Sequence, residues 1–262
     1  MASSDEALQA VASDWRSWPV SLSHAPRVLS ELQGGLTNRS YLVDVAGERL
    51  VLRIGHAATG EPGIDRVREL TVLQAVSVAG LGPRILGAKP ERGWLLSEYL
   101  AGEQSVAGAL GTARLEALIE TLRGVHGLPV RAASFSYPDH YAALYRAAGG
   151  AGALPAGIEK SLKALVNAVP TGLTHHDPGP GNVIFSGESA RLIDWEYAAP
   201  GCPLFDWAAV ALDWQVALED LSGELAISSA MLEDACALHR ALCAWWTQAL
   251  ESGRDQRSSN PG

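Results

Sequence analysis

A stretch two thirds of the way along the chain, THHDPGPGNVIFSGESARLIDWEY (residues 174–197), gathers oxygen-bearing side chains around two short apolar runs. Asp177 and Asn182 precede the first run, VIF, and Asp194 follows the second run, RLI. Two apolar runs joined by a polar turn that contains glycine are typical of a β-hairpin. We therefore expect these three side chains to lie together at one end of a hairpin.

This arrangement suits phosphoryl transfer. Mg²⁺ prefers hard oxygen ligands and keeps several waters, so two side chains and the phosphates of ATP suffice to hold it. Asn182 and Asp194 are the predicted ligands. Asp177 is predicted to orient the hydroxyl of the acceptor and then to take its proton, because the proton leaves late in a loose transition state.

Two plainer interpretations of the same stretch stay open. Asp177 could cap a turn while Asn182 and Asp194 merely flank a hairpin, as single residues of these types often do. The sequence His175-His176-Asp177 could also hold zinc, but the remaining histidines are scattered and supply no second cluster of ligands. Phosphoryl transfer is favoured because all three oxygen-bearing side chains flank one pair of apolar runs.

The elements that must position these residues change in character along the chain. Up to about residue 99 the pattern predicts strands in RVLSEL, SYLVDV, RLVLRI, PRILGA and WLLSEYL. A helix is predicted within IDRVRELTVLQAVSVAG, ending at Gly80, and another at about residues 5–17. The prediction is a five-stranded antiparallel sheet with one helix inserted after the third strand.

From residue 100 the apolar spacing becomes helical. Helices are predicted in TARLEALIETLRGVHGL, YPDHYAALYRAA, GIEKSLKALVNAV, PLFDWAAVALDWQVALED and ISSAMLEDACALHRALCAWWTQAL. The predicted fold class is therefore α+β with two lobes. Residues 1–99 are expected to bind nucleotide, and residues 100–262 are expected to hold the catalytic and substrate-binding groups, since ligands commonly bind between lobes.

These motifs resemble those of the protein-kinase-like small-molecule kinases, the superfamily of aminoglycoside phosphotransferases and choline kinases. The resemblance is carried by GGLTNRSYLV, LVLRIG, LTHHDPGPGNVIF and LIDWEYAAPGCPLFDWA, in this order. IDWEYA looks closest to the bacterial choline-kinase and thiamine-kinase branches. The resemblance implies a bilobal protein-kinase-like fold and a kinase that uses ATP and Mg²⁺.

The resemblance also implies a role for individual residues of the catalytic loop. Asp177 occupies the catalytic position, and Asn182 and Asp194 occupy the metal-ligand positions. His175 takes the place of the usual loop histidine, and Asp206 that of an aspartate that braces the loop.

The loop departs from the family pattern at two positions. His176 stands where a small residue is common, and Pro178 stands where an apolar residue is common. Neither change removes a reacting group, but the geometry of the loop is left open.

Arg53 stands where many kinases carry a lysine on the third strand. Arginine is permanently charged and can bridge phosphate and carboxylate, so the role is preserved. The predicted partner is Glu69 on the inserted helix; an ordinary surface ion pair is the alternative.

The other nucleotide contacts are predicted from their position. Gly34, Gly35 and Asn38 lie between the first two strands, where a phosphate-covering loop belongs, although a glycine pair also suits a plain hairpin turn. The segment SEYLAGE is the expected hinge, where Glu98 and Leu100 offer backbone groups to adenine.

The acceptor is predicted from aromatic and acidic residues. The chain contains eight tryptophans, and aromatic faces beside carboxylates bind small cations with ~0.5–2 kcal/mol per contact. The candidate contacts are Trp195, Glu196, Trp207, Asp213, Trp214 and Trp245. Packing in the core is the alternative for each tryptophan. The predicted acceptor is a small cationic alcohol such as thiamine, choline or ethanolamine, and an aminoglycoside or amino sugar is the alternative.

Composition narrows the partners further. A formal net charge of −9 disfavours nucleic acid and anionic membranes as partners, and no apolar run approaches the ~20 residues of a membrane span. The N-terminus lacks the features of a secretion signal, so a cytoplasmic enzyme is expected. Two rival classes stay open: a catalytically silent nucleotide- or metabolite-binding protein on the same fold, and a protein kinase, which the lack of an Ala-Pro-Glu segment disfavours. The oligomeric state is not predicted.

Overall fold

A computed structural model describes Leu8 and residues 14–17, 22–32, 38–55, 63–104 and 108–258 of the 262-residue chain. Within these ranges, no helix is long and apolar enough to cross a membrane. The helix predicted at about residues 5–17 falls mostly outside them. Its described end, Trp15–Ser17, is a short 3-10 helix.

The first part of the chain forms a five-stranded antiparallel sheet with the order β1-β2-β3-β5-β4, so the predicted sheet is confirmed. Its strands are β1 (Arg27–Leu32), β2 (Arg39–Val45), β3 (Glu48–Ile54), β4 (Ile85–Lys89) and β5 (Trp94–Glu98). Alternate residues of β2 point inward because side chains of a strand alternate between its two faces. They form a small core with members Tyr41, Val43, Val45, Leu50, Leu52, Trp94 and Leu96.

Helix α1 (Arg66–Ala79) is inserted after β3, as predicted. The Asp65 carboxylate caps its first turn by accepting two backbone N–H groups. Gly80 ends the helix at a φ of 72°, a left-handed conformation that glycine adopts without strain. The apolar face of α1, including Val72 and Val76, packs into the large core of the helical part of the chain and not into the small sheet core. Helix α1 therefore ties the sheet to the helical part.

The helical part contains six helices and five short strands among the described residues. The helices are α2 (Thr112–His126), α3 (Tyr137–Ala147), α4 (Ala156–Ala168), α5 (Leu204–Asp213), α6 (Leu218–Leu225) and α7 (Ser229–Ser258). The strands are β6 (Glu103–Gln104), β7 (Gly172–Thr174), β8 (Val183–Ser186), β9 (Ser189–Leu192) and β10 (Ala199–Gly201). Strands β8 and β9 pair antiparallel, which confirms the predicted hairpin.

One predicted helical segment is interrupted in the structure. The segment PLFDWAAVALDWQVALED is divided between α5 and α6, and Gln215 between them has a φ of 56°. The fully buried Trp214 lies at this break. Anchoring of the indole in the core takes precedence over the local helical pattern, because burial of so large a side chain outweighs a few tenths of a kcal/mol of propensity per residue.

The chain crosses from the sheet to the helical part between Glu98 and Gln104. Strand β6 pairs with the hairpin strand β8, with Glu103 opposite Phe185. Gly102 is required here because a Cβ would lie 2.4 Å from the Phe185 carbonyl oxygen. The predicted lobe boundary between residues 99 and 100 stays a prediction, since the core of the helical part also includes α1.

Candidate active site

The loop after β7 brings two of the three predicted residues into direct contact. A 3-10 turn, Pro180–Asn182, leads into β8 and turns Asn182 back toward Asp177. The Asn182 amide nitrogen donates to Asp177 Oδ2 at 2.7 Å and to the Asp177 carbonyl oxygen at 3.0 Å. The amide oxygen of Asn182 is therefore the atom of this side chain that is left to face a metal ion.

Asp194 follows β9 and adopts a left-handed φ of 60°. Its Oδ1 lies 3.8 Å from Arg53 Nη1, so the loop after β9 faces the third strand of the sheet. This oxygen is buried and has no hydrogen-bond partner among the described residues. A buried carboxylate oxygen without a partner is costly, and a cation that binds there would remove the cost.

Burial and neighbouring carboxylates raise the pKa values of Asp177 and Asp194. Asp177 is exposed in the cleft, yet protein atoms crowd its carboxylate; burial, then the charges of Asp194 and Asp213, raise its pKa to about 8. Solvent that reaches the cleft screens part of this effect. Burial and the charge of Glu196 raise the pKa of Asp194 to about 7, while Arg53 opposes them. The cleft thus holds more negative charge than its surroundings neutralise, as a site for cations requires.

Arg53 and Glu69 form a buried, two-pronged ion pair. Arg53 Nη1 donates to Glu69 Oε1 at 2.5 Å, and Nη2 donates to Oε2 at 2.8 Å. Burial raises the pKa of Glu69, but the Arg53 guanidinium outweighs burial and holds it below its usual value. The side chains are 11% and 2% exposed, so the alternative of a surface ion pair is wrong for this contact.

Asp206, in the first turn of α5, is fully buried and holds the catalytic loop. Its carboxylate accepts the backbone N–H of His175 at 2.9 Å and that of His176 at 2.7 Å. A further hydrogen bond of 2.9 Å joins it to His126 Nε2. Burial raises the pKa of Asp206, but the hydrogen bond and charge of His126 keep it below its usual value.

The His175 ring connects the catalytic loop to the loop of Asp194. Its Nε2 lies 2.9 Å from the Ile193 carbonyl oxygen, and its Nδ1 lies 3.3 Å from the Asp177 N–H. These partners assign the proton to Nε2. Burial lowers the pKa of this imidazole, so it acts as a neutral spacer between the two loops.

His176, one of the two departures from the family pattern, attaches the catalytic loop to neighbouring segments through the contacts of its ring. His176 has a φ of 71°, and its ring stacks on Phe135 with ring centroids 4.1 Å apart. Nδ1 donates to the Tyr197 carbonyl oxygen, and Nε2 accepts from the Tyr137 hydroxyl at 2.7 Å. Burial lowers the pKa of His176 to about 3, so the ring stays neutral. At Pro178, the carbonyl oxygen accepts the Trp214 indole N–H at 3.3 Å.

A residue that the sequence analysis missed, Arg66, lies at the centre of this region. It contacts Glu69, Glu196 and Asn38. The Asn38 side chain, predicted at the nucleotide, and the Glu196 side chain, predicted at the acceptor, both point into this buried cluster. The contacts of Arg66 reach up to 130 residues along the sequence. The sequence feature that could have drawn attention to this residue is an arginine in the first turn of the helix.

Three of the predicted acceptor tryptophans lie inside the molecule. Trp195, Trp207 and Trp214 are 1%, 5% and 0% exposed and belong to the large core. Their aromatic faces are covered by protein, so the core-packing alternative holds for them in this structure. Trp245 is half-buried against Tyr145, with ring centroids 5.1 Å apart.

Asp213 lies beside the catalytic loop. A Cβ added at Gly179 would be 3.3 Å from Asp213 Oδ2 and 3.8 Å from Asp177 Oδ1. Burial raises the pKa of Asp213, and the nearby His239 opposes this. Of the acceptor candidates, Asp213 is the acidic residue that the fold brings next to Asp177.

Four further residues were predicted to lie at the nucleotide, and the structure describes two of them. Gly34 and Gly35 lie outside the described residues. Glu98 ends β5 with its carboxylate paired to Arg191 at 2.7 Å, and Leu100 is buried. In the part of the chain that the structure describes, no group of three or more His, Cys, Asp or Glu residues is arranged to hold a metal ion, so the zinc alternative gains no support.

Comparison with known proteins places this geometry in context. The sequence model of the phosphotransferase enzyme family matches residues 28–243. Thiamine kinase from Salmonella typhimurium is 28% identical over 227 residues, which cover 84% of this chain and 78% of that protein.

Solved structures share the fold. The choline kinase LicA from Streptococcus pneumoniae has a TM-score of 0.67 at 21% identity, covering 87% of each chain. A choline/ethanolamine kinase family protein from Mesorhizobium loti has a TM-score of 0.68 at 20% identity, covering 95% of this chain and 88% of that one.

Proposed function

The chain belongs to the phosphotransferase enzyme family and is a small-molecule kinase, and from this premise we propose that it moves the γ-phosphoryl group of ATP onto the hydroxyl of a small cationic alcohol. The observation that carries the proposal is the cleft in which Asp177 contacts Asn182 while Asp194 faces the Arg53–Glu69 pair. In this proposal, Asp177 lies beside the acceptor, and Asn182 and Asp194 supply the oxygen ligands of the metal. Arg53 is the cation that binds phosphate.

Asn182 and Asp194 are the residues that would hold Mg²⁺, through the amide oxygen of the first and the partnerless Oδ1 of the second. When bound, the metal supplies positive charge that offsets the charge on the transferring phosphoryl group. Arg53 is held by Glu69 so that its guanidinium, 3.8 Å from Asp194, presents a fixed positive charge on the sheet side.

Asp177 accepts a hydrogen bond from the acceptor hydroxyl and orients the oxygen toward the γ-phosphorus. The new bond forms between that oxygen and phosphorus as the bond from phosphorus to the bridging oxygen of ADP breaks. The hydroxyl proton passes to Asp177 and then to solvent. An ordinary aspartate, with a pKa near ~3.9, is a weak base; the raised pKa of Asp177 makes it a better acceptor of this proton near neutral pH.

The electrostatics of the cleft favour a cationic acceptor. Asp213 comes from α5 and not from the hairpin that carries the predicted metal ligands, and it raises the pKa of Asp177. An ammonium or thiazolium group beside Asp213 would relieve this repulsion. The similarity to thiamine kinase over 84% of the chain supports the same class.

A matched set of alcohols tests the acceptor class. ADP release with Mg·ATP is measured for choline, ethanolamine and thiamine, for the uncharged isostere 3,3-dimethylbutan-1-ol, and for an aminoglycoside and an amino sugar. We expect kcat/KM for the preferred cation to exceed that of the isostere about tenfold or more, which corresponds to one well-placed charge contact. If no cationic alcohol of the set reacted faster than the isostere, the cationic class would be contradicted.

Two other outcomes of this experiment would each favour one of the alternative functions. Preferred turnover of the aminoglycoside or amino sugar would favour the alternative acceptor. Tight binding of Mg·ATP without transfer to any acceptor would favour a silent binding protein.

A further inference from the structure

A closed ring of hydrogen bonds joins three side chains from different parts of the fold. Arg66 Nη2 donates to Asn38 Oδ1 at 2.9 Å, and Asn38 Nδ2 donates to Glu196 Oε2 at 2.7 Å. Arg66 Nη1 closes the ring by donating to the same Glu196 oxygen at 3.2 Å. The three residues are 7%, 5% and 3% exposed, so the ring is enclosed by protein.

Arg66 also reaches the ion pair that faces the metal loop. Its Nη1 donates to Glu69 Oε2 at 2.8 Å, and the same carboxylate binds Arg53. One guanidinium therefore contacts both buried glutamates, Glu69 on α1 and Glu196 two residues after Asp194. A planar fork of several donors can do this, whereas the single ammonium of lysine cannot match it.

The backbone leaves space for the ring at Gly55. A Cβ at this position would lie 2.3 Å from Asn38 Oδ1 and 2.9 Å from Arg66 Nη2. Those distances are shorter than van der Waals contact, so a methyl group would push both ring members aside. The end of β3 thus accommodates the ring through the absence of a side chain.

We propose that Arg66 is a positioning residue of the phosphoryl-transfer site. By binding Asn38 and Glu196 together, it sets the distance between the sheet with α1 and the loop that carries Asp194. The inference rests on the proposed function for its kinetic consequences, whereas the ring consists of side chains of this chain alone.

Substitution of Arg66 tests the role through kinetics. In Arg66→Met we expect kcat to fall about 10- to 100-fold, because a displacement near 1 Å of a reacting group has this effect. The KM for Mg·ATP should rise, and the KM for the acceptor should stay within about twofold. Arg66→Lys should recover part of kcat. The matched control is Arg27→Met, an exposed arginine whose Asp44 contact of 3.9 Å is marginal; it should behave as wild type.

Gly55→Ala displaces the ring without removing a charge. It should lower kcat in the same direction as Arg66→Met, while Gly157→Ala, where a Cβ meets nothing within 4 Å, should not. Arg66 or Gly55 variants that lose thermal stability while kcat per folded molecule stays unchanged would overturn the positioning role.

A double-mutant cycle supplies a readout that is independent of turnover. Thermal unfolding of the ligand-free protein is measured for Arg66→Met, Glu196→Gln and the pair, with ADP affinity measured by calorimetry. We expect the Arg66→Met loss to shrink in the Glu196→Gln background, because residues in contact are not additive. Additive effects would overturn the ring. If wild type itself transfers no phosphoryl group, the proposed function fails. The cycle still tests whether Arg66 and Glu196 interact in the ring.

Discussion

Asp177 is surrounded by charges of its own sign. Asp194 and Asp213 raise its pKa, and so does burial. A carboxyl whose pKa is raised in the folded state binds its proton more tightly there than in the unfolded chain, so its contribution favours folding at low pH and is lost as pH rises toward the folded pKa of about 8. The ligand-free cleft is therefore a place where stability and catalysis oppose each other.

Asp177→Asn tests both the contribution of this carboxylate to catalysis and its cost to stability. We expect turnover to fall about 10²- to 10⁴-fold, the usual contribution of a positioned acid–base group, while nucleotide affinity stays near wild type. At pH 8 the ligand-free variant should be more stable by about 1 kcal/mol after allowance for solvent screening, or about 2–4 °C in Tm. The gain should vanish near pH 4. Turnover and melting at both pH values check the prediction, and unchanged turnover would contradict it.

Asp194→Ala separates the metal role from the acceptor role. The substitution removes the buried, partnerless oxygen that faces Arg53. Affinity for ADP with Mg²⁺ should fall about tenfold or more, whereas affinity for ADP in EDTA should change little. Calorimetric titrations in the two buffers measure the difference. Equal losses in both buffers would count against a metal ligand at this position.

At the scale of residues, a contact can be predicted from sequence when residue types suited to one reaction lie a few positions apart. Asn182 follows Asp177 by five positions, and the 3-10 turn before β8 brings their side chains into contact. Arg66 and Glu196 meet across 130 positions, and the local sequence of Arg66 does not indicate which distant residue it contacts. The three buried tryptophans occupy the core, which is the alternative that the sequence left open, because an indole suits a cation site and a core equally well.

At the scale of elements, the catalytic loop is held by groups that do not react. Asp206 binds it from α5, while Tyr137 at the start of α3 and the carbonyl oxygen of Tyr197 bind the ring of the loop residue His176. The brace was predicted at Asp206 because the motif LIDWEYAAPGCPLFDWA resembles that of the family. The contacts of His176 could not be predicted, because they depend on a left-handed φ at a residue that is not glycine.

Asp206→Ala should release the loop. Two backbone N–H groups near the core would lose their acceptor, at a cost of about 2–4 kcal/mol, so Tm should fall about 5–15 °C. The matched control is Asp220→Ala, an exposed aspartate in the first turn of α6, which should change stability by less than about 0.5 kcal/mol. Thermal unfolding of both variants decides; similar losses would mean that Asp206 is no brace.

Gly102→Ala tests the crossing between the sheet and the hairpin. The added methyl would meet the Phe185 carbonyl oxygen at 2.4 Å and the Ile184 side chain at 2.7 Å, and β6 would have to separate from β8. We expect a loss of about 1–3 kcal/mol and weaker nucleotide binding. Gly223→Ala, which has open space around it, is the control. Wild-type stability in Gly102→Ala would show that the crossing is looser than the structure has it.

At the scale of the molecule, two cores and one cleft account for the architecture. The small core stabilises the sheet, and the large core includes the inner face of α1. Helix α1 thereby connects the side that carries Arg53 to the side that carries Asp177. The five strands and the inserted helix were predictable, because alternation and helical spacing are local patterns. The association of α1 with the far core was not, since it depends on packing between segments distant in sequence.

Transfer of labelled phosphate is the measurement that tests the central claim most directly. Wild type and Asp177→Ala are incubated with [γ-³²P]ATP, Mg²⁺ and each alcohol of the matched set, and label on the alcohol is counted. Wild type should transfer label to a cationic alcohol, and Asp177→Ala should transfer at least about 10²-fold more slowly while binding Mg·ATP as before. Equal transfer by the two proteins, or label released only as inorganic phosphate by both, would contradict the assignment of Asp177 and the acceptor together.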